Sequence, residues 1–108
     1  MTSGSQRFTI IYAPLTKQHL RTIEAKYYSL IRDVVNEQLS FEPTTETRHR
    51  KPLKRPMFFA ATWEIRFGPH NQFRVYYDVD VDQAIVSILA IGIKHGTTVM
   101  IGGEEIKR

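Results

Sequence analysis

The chain has 108 residues, enough for one domain with a single hydrophobic core and too few for two. It contains no cysteine, which excludes disulfides, thiolate metal sites and cysteine nucleophiles. Fifteen lysines and arginines against eleven acids give a net charge of +4, which permits a nucleic acid or an acidic protein as partner. No apolar run reaches the ~18 residues of a membrane span, and residues 1–6 are polar. We therefore expect a cytoplasmic protein without membrane association, disordered over residues 1–6.

The first part of the chain predicts a strand followed by helical structure. Residues 7–12 are rich in β-branched and aromatic side chains, and Pro14 suits the entry to a helix. Apolar residues then recur at helical spacing over residues 15–40, where neither glycine nor proline interrupts. One long helix and two helices with a break near Ala25 both fit this pattern. Pro43 ends the helical segment, because the residue before a proline disfavours the helical region.

The second part predicts a sheet. Residues 44–56 are polar and basic with two prolines, which is typical of a loop or an irregular edge segment. Residues 58–67 and 73–79 predict two strands, and Gly68-Pro69-His70-Asn71 between them predicts a β-hairpin. The apolar segment 84–93 predicts a strand in the middle of the sheet, followed by a short strand at 99–101 and a polar tail at 102–108. The fold class expected over residues 1–108 is α+β, a single domain in which an N-terminal strand and a helix or helix pair pack on a twisted antiparallel sheet.

The hairpin has one apolar and one polar face. Because side chains alternate along a strand, the apolar faces must both point to the core, and this requirement sets the parity of the strand register. The simplest closure pairs Phe67 with Phe73. Arg66 then lies opposite Arg74, while Glu64 lies opposite Tyr76 and diagonal to Arg74.

Two arginines opposed across strands repel each other, so a role beyond stability is one interpretation of this face. Guanidinium groups that converge on one spot make a good phosphate site. The alternative is a solvated sheet face on which Glu64 bridges the two arginines. His95, after the buried strand, is a candidate acid or base, or else an incidental surface histidine.

A basic stretch precedes the hairpin, and no acid occurs between Thr47 and Trp63. Its five cations are candidates for phosphate contacts, although a merely solvated loop fits equally well. They are Arg48, Arg50, Lys51, Lys54 and Arg55. The histidines have no metal-ligand spacing and no phosphate-binding glycine loop is present, so neither a metal nor another cofactor is expected.

Four motifs occur in a characteristic order: KPLK at 51–54, WEIRFG at 63–68, FRVYY at 73–77 and ILAIG at 88–92, followed by Lys94. Together they resemble the RelE/ParE superfamily of bacterial toxins, over residues 8–105. The resemblance implies a microbial ribonuclease fold and a cognate antitoxin protein. RelE-like members cleave mRNA on the ribosome without metal and so inhibit translation, whereas ParE-like members poison DNA gyrase. A ribosome-dependent mRNA endoribonuclease is thus the expected function, and a gyrase inhibitor or an inactive member is the alternative.

The resemblance also implies roles for individual residues. The implied catalytic residues are Glu64, Arg66, Arg74, Lys94 and His95. The implied RNA contacts are Arg48, Arg50, Lys51, Lys54, Arg55 and Tyr76. The sequence departs from the RelE pattern at Glu64, where a lysine base is usual, and at Met100, where a stacking tyrosine is expected. Glu64 as base and His95 as acid would replace the usual groups.

Overall fold

A computed structural model describes residues 6–57 and 60–106, and it confirms the predicted α+β class. Only Gln6 of the segment 1–6 falls within these ranges, and so the disorder predicted there lies outside the described residues. The chain forms β1 (Thr9–Tyr12), α1 (Thr16–Leu20), a 3₁₀ turn (Ala25–Tyr27) and α2 (Tyr28–Leu39). The strands β2 (Arg50–Met57), β3 (Ala61–Phe67), β4 (Phe73–Asp80), β5 (Ile85–His95), β6 (Thr98–Ile101) and β7 (Glu104–Ile106) follow.

The apolar strand β5 lies in the middle of the sheet, as predicted. The strand order is β2-β3-β4-β5-β6-β7, with every neighbouring pair antiparallel. Strand β4 covers one side of β5, and two shorter strands share the other side. β6 pairs with residues 92–95, and β1 pairs in parallel with residues 85–88. This parallel pairing is a feature that the sequence pattern did not predict.

The helical segment is broken, which decides between the two interpretations of residues 15–40. α1 ends at Leu20, and the chain turns before the 3₁₀ turn leads into α2. The break is held by side chains, since Thr22 donates to the carbonyl of His19 (2.7 Å) and Tyr28 donates to that of Leu20 (2.7 Å). α2 then packs its apolar stripe on one face of the sheet through Ile31, Val35 and Leu39.

Both faces of the sheet bury apolar side chains. The main core lies between α2 and the sheet, and it includes the predicted inward faces of the hairpin, namely Ile65, Phe67, Phe73, Val75 and Tyr77, with Trp63 partly buried beside them. A smaller cluster comprises Ala61, Tyr76, Ala90 and Ile101, with Leu53, Leu89, Val99 and Ile106 packed against it. This second cluster covers only part of its face of the sheet. Polar side chains of the same strands therefore lie beside it on that face.

Two segments differ from their predicted form. The predicted polar tail at 102–108 contains β7, which pairs with β6 from Val99 to Ile101. The basic segment is an irregular edge strand from Arg50 onward, with a register shift between Pro52 and Met57. Edge strands tolerate prolines, because one of their sides makes no ladder hydrogen bonds. The start of the predicted strand at Phe58 and the end of the tail lie outside the described residues.

His19 contacts β5 at Ile91, between the segment that pairs with β1 and the segment that pairs with β6. Its Nδ1 accepts a hydrogen bond from the backbone N–H of Ile91 (3.2 Å), and its side chain is buried. An imidazole that accepts at Nδ1 is unprotonated there. Burial lowers the pKa of His19, in agreement with this neutral state.

We expect the free energy of unfolding to fall as the pH drops below ~6.5, the ordinary pKa of histidine. The unfolded chain then binds a proton that the folded state excludes, so stability decreases until the pH passes the lowered pKa of folded His19. Urea unfolding between pH 8 and pH 5 measures this dependence. His19→Asn supplies an amide oxygen that does not titrate, so its stability should vary less over this range. An equally steep loss in that variant would contradict the assignment.

Candidate active site

The hairpin register is the predicted one, and it places the charged residues in rows across the sheet. Arg66 lies opposite Arg74, and Glu64 lies opposite Tyr76. The first row continues through Gly92 on β5. Gly92 allows β6 to approach β5 closely, because a Cβ there would stand 2.9 Å from the backbone oxygen of Met100. Three consecutive strands, β3 to β5, therefore contribute to this row.

Glu64 holds the two arginines together. Its Oε1 accepts from Nε of Arg66 at 2.7 Å and lies 3.8 Å from Nη1 of Arg74. The Glu64 and Arg74 side chains are only 2% and 6% exposed, whereas that of Arg66 is 38% exposed. The carboxylate offsets the repulsion between the guanidiniums. Because Arg66 uses Nε for this contact, its terminal nitrogens can donate to a ligand.

Three cations line one cleft of about 270 Å³: Arg66, Arg74 and Lys94. Lys94 reaches the cleft because it follows Gly92 at a two-residue interval on β5 and so lies on the same face. Two guanidiniums and an ammonium in one cleft provide planar donor pairs and a mobile point charge. Such a set fits a phosphate group or a phosphodiester.

The opposite wall of the cleft was missed by the sequence interpretation. It consists of Thr97, Val99 and Ile106. Ile106 lies opposite Val99 in the β6–β7 pairing, so its position follows from a strand that had been taken for a polar tail. Val99 faces Lys94 across β5 and β6. Met100, at the expected stacking position, lies on the other face of β6 by alternation.

His95 does not join the predicted catalytic group. It directly follows Lys94 in β5, and successive side chains of a strand point to opposite faces. The lining of the cleft accordingly includes Lys94 and lacks His95. The structure thus separates His95 from Arg66 and Arg74, and its role as the acid stays a prediction.

Glu64 lies at the centre of the charged group. Its side chain is buried beneath the arginines and accepts from Arg66. This geometry suits a residue that positions the two guanidiniums, and the role of Glu64 as the base stays a prediction.

Arg50 is buried, which corrects its assignment as an RNA contact. Its Nη1 donates to the carbonyls of Glu42 (2.6 Å) and Thr45 (2.8 Å), and its Nη2 donates to Oε1 of Gln38 (2.7 Å). Since Arg50 pairs with Ile65, its side chain points toward α2, away from the cleft. It anchors the loop that connects α2 to β2.

Tyr76 is fully buried in the smaller apolar cluster, so a stacking contact with RNA is also corrected. The remaining basic residues are exposed, as an RNA contact requires. They are Arg48, Lys51, Lys54 and Arg55, which lie before and along the edge strand β2. Lys51 lies opposite Glu64, on the cleft side of the sheet, and contacts Glu46 at 3.5 Å.

Within the described ranges 6–57 and 60–106, no cluster of three or more histidine and acidic side chains could hold a metal ion. No helix in the same part of the chain is long and apolar enough to cross a membrane.

The fold is α+β, with α2 on one face of the sheet and a cleft lined by cationic side chains on the other. A chain in the crystal structure of the toxin–antitoxin complex RelBE2 from Mycobacterium tuberculosis has the same fold. The two share 24% sequence identity and superpose with a TM-score of 0.66, over 82% of this chain and 99% of that chain. The RelE-like fold predicted from the motifs is thus confirmed. No protein-family model and no curated protein matches the chain.

Proposed function

We propose that this chain is the toxin of a toxin–antitoxin pair, a metal-independent endoribonuclease that cleaves mRNA on the ribosome in the bacterial cytoplasm. The observation that carries the proposal is the convergence of Arg66, Arg74 and Lys94 in one cleft, with Glu64 buried between the arginines. A RelE-like fold supports it, since one chain of a toxin–antitoxin complex has that fold.

The proposed reaction is transfer within the RNA backbone. The ribose 2′-oxygen forms a bond to phosphorus while the bond from phosphorus to the 5′-oxygen breaks. The products are a 2′,3′-cyclic phosphate and a 5′-hydroxyl. Arg66 and Arg74 stabilise the negative charge that develops on the phosphate oxygens, which is usually the largest contribution in such catalysis. The proton of the 2′-hydroxyl passes to water.

Lys94 is the proposed proton donor to the leaving 5′-oxygen, because it lines the cleft with the arginines while His95 points to the other face. Glu64 positions Arg66 and Arg74. The exposed cations Arg48, Lys51, Lys54 and Arg55 grip the RNA backbone through phosphate contacts, which give affinity without sequence preference.

The partner proposed for the toxin is an antitoxin protein. The similar chain comes from a structure described as a toxin–antitoxin complex. A net charge of +4 favours an acidic partner over a basic one.

Lys94→Ala and His95→Ala test the cleft as a matched pair, because the two neighbours lie on opposite faces of β5. We expect Lys94→Ala to lower RNA cleavage by about 10²-fold, a typical loss for a general acid, and His95→Ala to leave it unchanged. Each variant is induced briefly in a bacterial host, and the 5′ ends of mRNA are mapped. New ends inside coding frames with wild type and His95→Ala, but not with Lys94→Ala, would support the proposal.

Two outcomes oppose it. Cleavage that survives in Lys94→Ala would mean that Lys94 is not the proton donor and that the cleft is not the site of cleavage. Growth arrest by the wild type without new 5′ ends would remove the ribonuclease itself and favour a non-catalytic target such as DNA gyrase. Unfolding curves of both variants ensure that a lost activity does not reflect a lost fold.

A further inference from the structure

A second pocket adjoins the cationic cleft on the same face of the sheet. It has a volume of about 300 Å³ and shares one wall residue, Ile106, with the cleft. Strand pairing explains the shared wall, because Lys94 pairs with Val99 and Val99 pairs with Ile106. Residues that are paired directly across strands point to the same face. The cleft and the second pocket therefore form one continuous groove, with Ile106 between them.

Glu104 places a carboxylate in the second pocket. A row of directly paired residues leads to it from the cleft: Arg74, Gly92, Ile101 and Glu104. Glu104 is exposed, and it forms no ion pair with a cation of residues 6–57 and 60–106. Its carboxylate oxygens can thus accept hydrogen bonds from a ligand.

The sign of the charge changes along the groove. The cleft carries the cations Arg66, Arg74 and Lys94, which suit a phosphate. The second pocket carries a carboxylate, which repels a second phosphate and accepts from N–H donors. A nucleotide has the matching ends, a phosphate and a neutral base with N–H donors. β5 and β7 are two strand spacings apart, or ~10 Å, and one nucleotide spans a similar distance.

The lining of the second pocket suits a planar ring. Leu15, Ile101 and Ile106 supply apolar contacts from three different elements, and the Gln18 side chain lies in the same lining as Glu104. Apolar side chains pack against the face of a base, while an amide and a carboxylate bind its hydrogen-bonding edge. Sequence-specific RNA recognition uses these two kinds of contact on unstacked bases of single strands.

The carboxylate of Glu104 favours guanine among the four bases. Guanine presents two adjacent donors, N1–H and the N2 amino group, which one carboxylate can accept together. Adenine and cytosine present one amino group beside a ring acceptor, and uracil presents one ring N–H between two carbonyls. Charge-assisted bonds are roughly twice as strong as neutral ones, so the bidentate contact decides the preference. The amide N–H of Gln18 can donate to O6 of the same base.

We propose that the second pocket binds guanine in the nucleotide that follows the cut, and that Glu104 and Gln18 are its specificity-determining residues. The inference rests on the proposed ribonuclease function and deepens it. Lys94 donates a proton to the leaving 5′-oxygen, and its row leads to Ile106. The nucleotide that carries this oxygen therefore lies on the β7 side of the cleft. The protein itself reads one base there, while its other RNA contacts go to phosphates.

Binding of 5′-mononucleotides tests the pocket without cleavage. GMP, AMP, CMP and UMP share a phosphate and a ribose, so differences in affinity report the base. NMR titration of the full chain measures the four dissociation constants. We expect GMP to bind about tenfold more tightly than the other three, the typical discrimination of one bidentate pair. The amides of Gly102 and Glu104 should shift with GMP, whereas inorganic phosphate should shift those near Lys94.

Glu104→Gln and Glu105→Gln form a matched pair. Both remove one negative charge, but Glu105 pairs with Met100 and lies on the opposite face of β7 from Glu104. We expect Glu104→Gln to lose the preference for GMP, because an amide has one acceptor oxygen, and Glu105→Gln to keep it. Gln18→Leu should weaken GMP binding about fivefold, since it removes one hydrogen bond. NMR spectra of the free variants verify that each is folded.

Cleavage in a bacterial host provides a second test. The new 5′ ends of mRNA should begin with guanosine in wild type and in Glu105→Gln. Glu104→Gln should lose this bias while cleavage continues. A bias that persists in Glu104→Gln would mean that another group, such as the ribosome, reads the base, and it would overturn the proposal.

Two binding results would also overturn it. The first is equal affinity of the wild type for the four mononucleotides. The second is an equal loss of GMP binding in Glu104→Gln and Glu105→Gln, which would indicate a general charge effect. The ribonuclease is judged separately. New 5′ ends without a preference for GMP would remove only the base pocket, whereas a preference for GMP without new 5′ ends would support the pocket and contradict the ribonuclease.

Discussion

Glu64→Ala is expected to lower the free energy of unfolding by about 3–5 kcal/mol, the cost of breaking a buried ion pair by removing one partner. The substitution leaves the nearly buried Arg74 without this carboxylate and directly opposite Arg66. Urea unfolding measures the change, provided that the slope of the transition is that of wild type. The same variant should lose RNA cleavage, because the carboxylate that places the Arg66 and Arg74 guanidiniums side by side is gone.

Two further variants separate the structural effect of Glu64 from its effect on the cleft. Glu64→Gln retains an oxygen that can accept from Nε of Arg66, and so we expect a smaller loss of stability, about 1–3 kcal/mol. The double variant Glu64→Met with Arg74→Met replaces the buried pair by apolar side chains, and such replacements are often neutral in stability. We expect it to be folded and inactive.

Two results would contradict these roles of Glu64 and Arg74. A loss below about 1 kcal/mol in Glu64→Ala would mean that the pair is hydrated and weak, as exposed pairs are. Full RNA cleavage in the double variant would show that neither side chain acts in the cleft.

Arg50→Met is expected to lower the free energy of unfolding by about 2–3 kcal/mol, because it removes three charge-assisted hydrogen bonds. The guanidinium joins α2 to the loop before β2 through Gln38, Glu42 and Thr45. Its loss also affects Tyr77, whose hydroxyl donates to the loop carbonyl of Pro43 at 2.6 Å. Burial raises the pKa of Tyr77, which the charge of Arg50 partly opposes, so the hydroxyl stays protonated and able to donate.

Lys51→Met is the matched control for Arg50→Met. Lys51 is the next residue of β2, but its side chain is 48% exposed and its contact with Glu46 is long, at 3.5 Å. Such pairs contribute about 0–1 kcal/mol, so we expect little change. Equal unfolding free energies for the two variants would contradict the role of Arg50 as an anchor. RNA binding should show the opposite pattern. Lys51→Met should weaken it more than Arg50→Met does, since only the Lys51 side chain is available to a phosphate.

The hairpin was predictable because its determinants are local. The turn between Phe67 and Phe73 restricts the loop length, and the alternation of apolar residues sets the parity of the register. The opposition of Arg66 and Arg74 follows from these two constraints. The central position of β5 was predictable for a similar reason, since its continuous apolar sequence requires cover on both faces.

The errors arose where a residue's role depends on its distant neighbours. Arg50 carries the charge of an RNA contact, yet its pairing with Ile65 turns it inward. His95 and Lys94 are equally plausible in sequence, but the alternation of β5 sends only one of them to the cleft. Ile106 was missed because β7 is too short and polar to be recognised without its partner strand.

The sequence by itself determined the α+β class, most of the strand and helix segments, the hairpin register and the convergence of two arginines. Periodicity and turn chemistry suffice for these features, because they act within a few residues. Only the tertiary structure decided that Glu64 is buried between the two arginines, that Lys94 lines their cleft and that Arg50 points toward α2. Burial and edge exposure depend on which strands pair across the whole sheet, and the contacts that decide them join residues far apart in the chain.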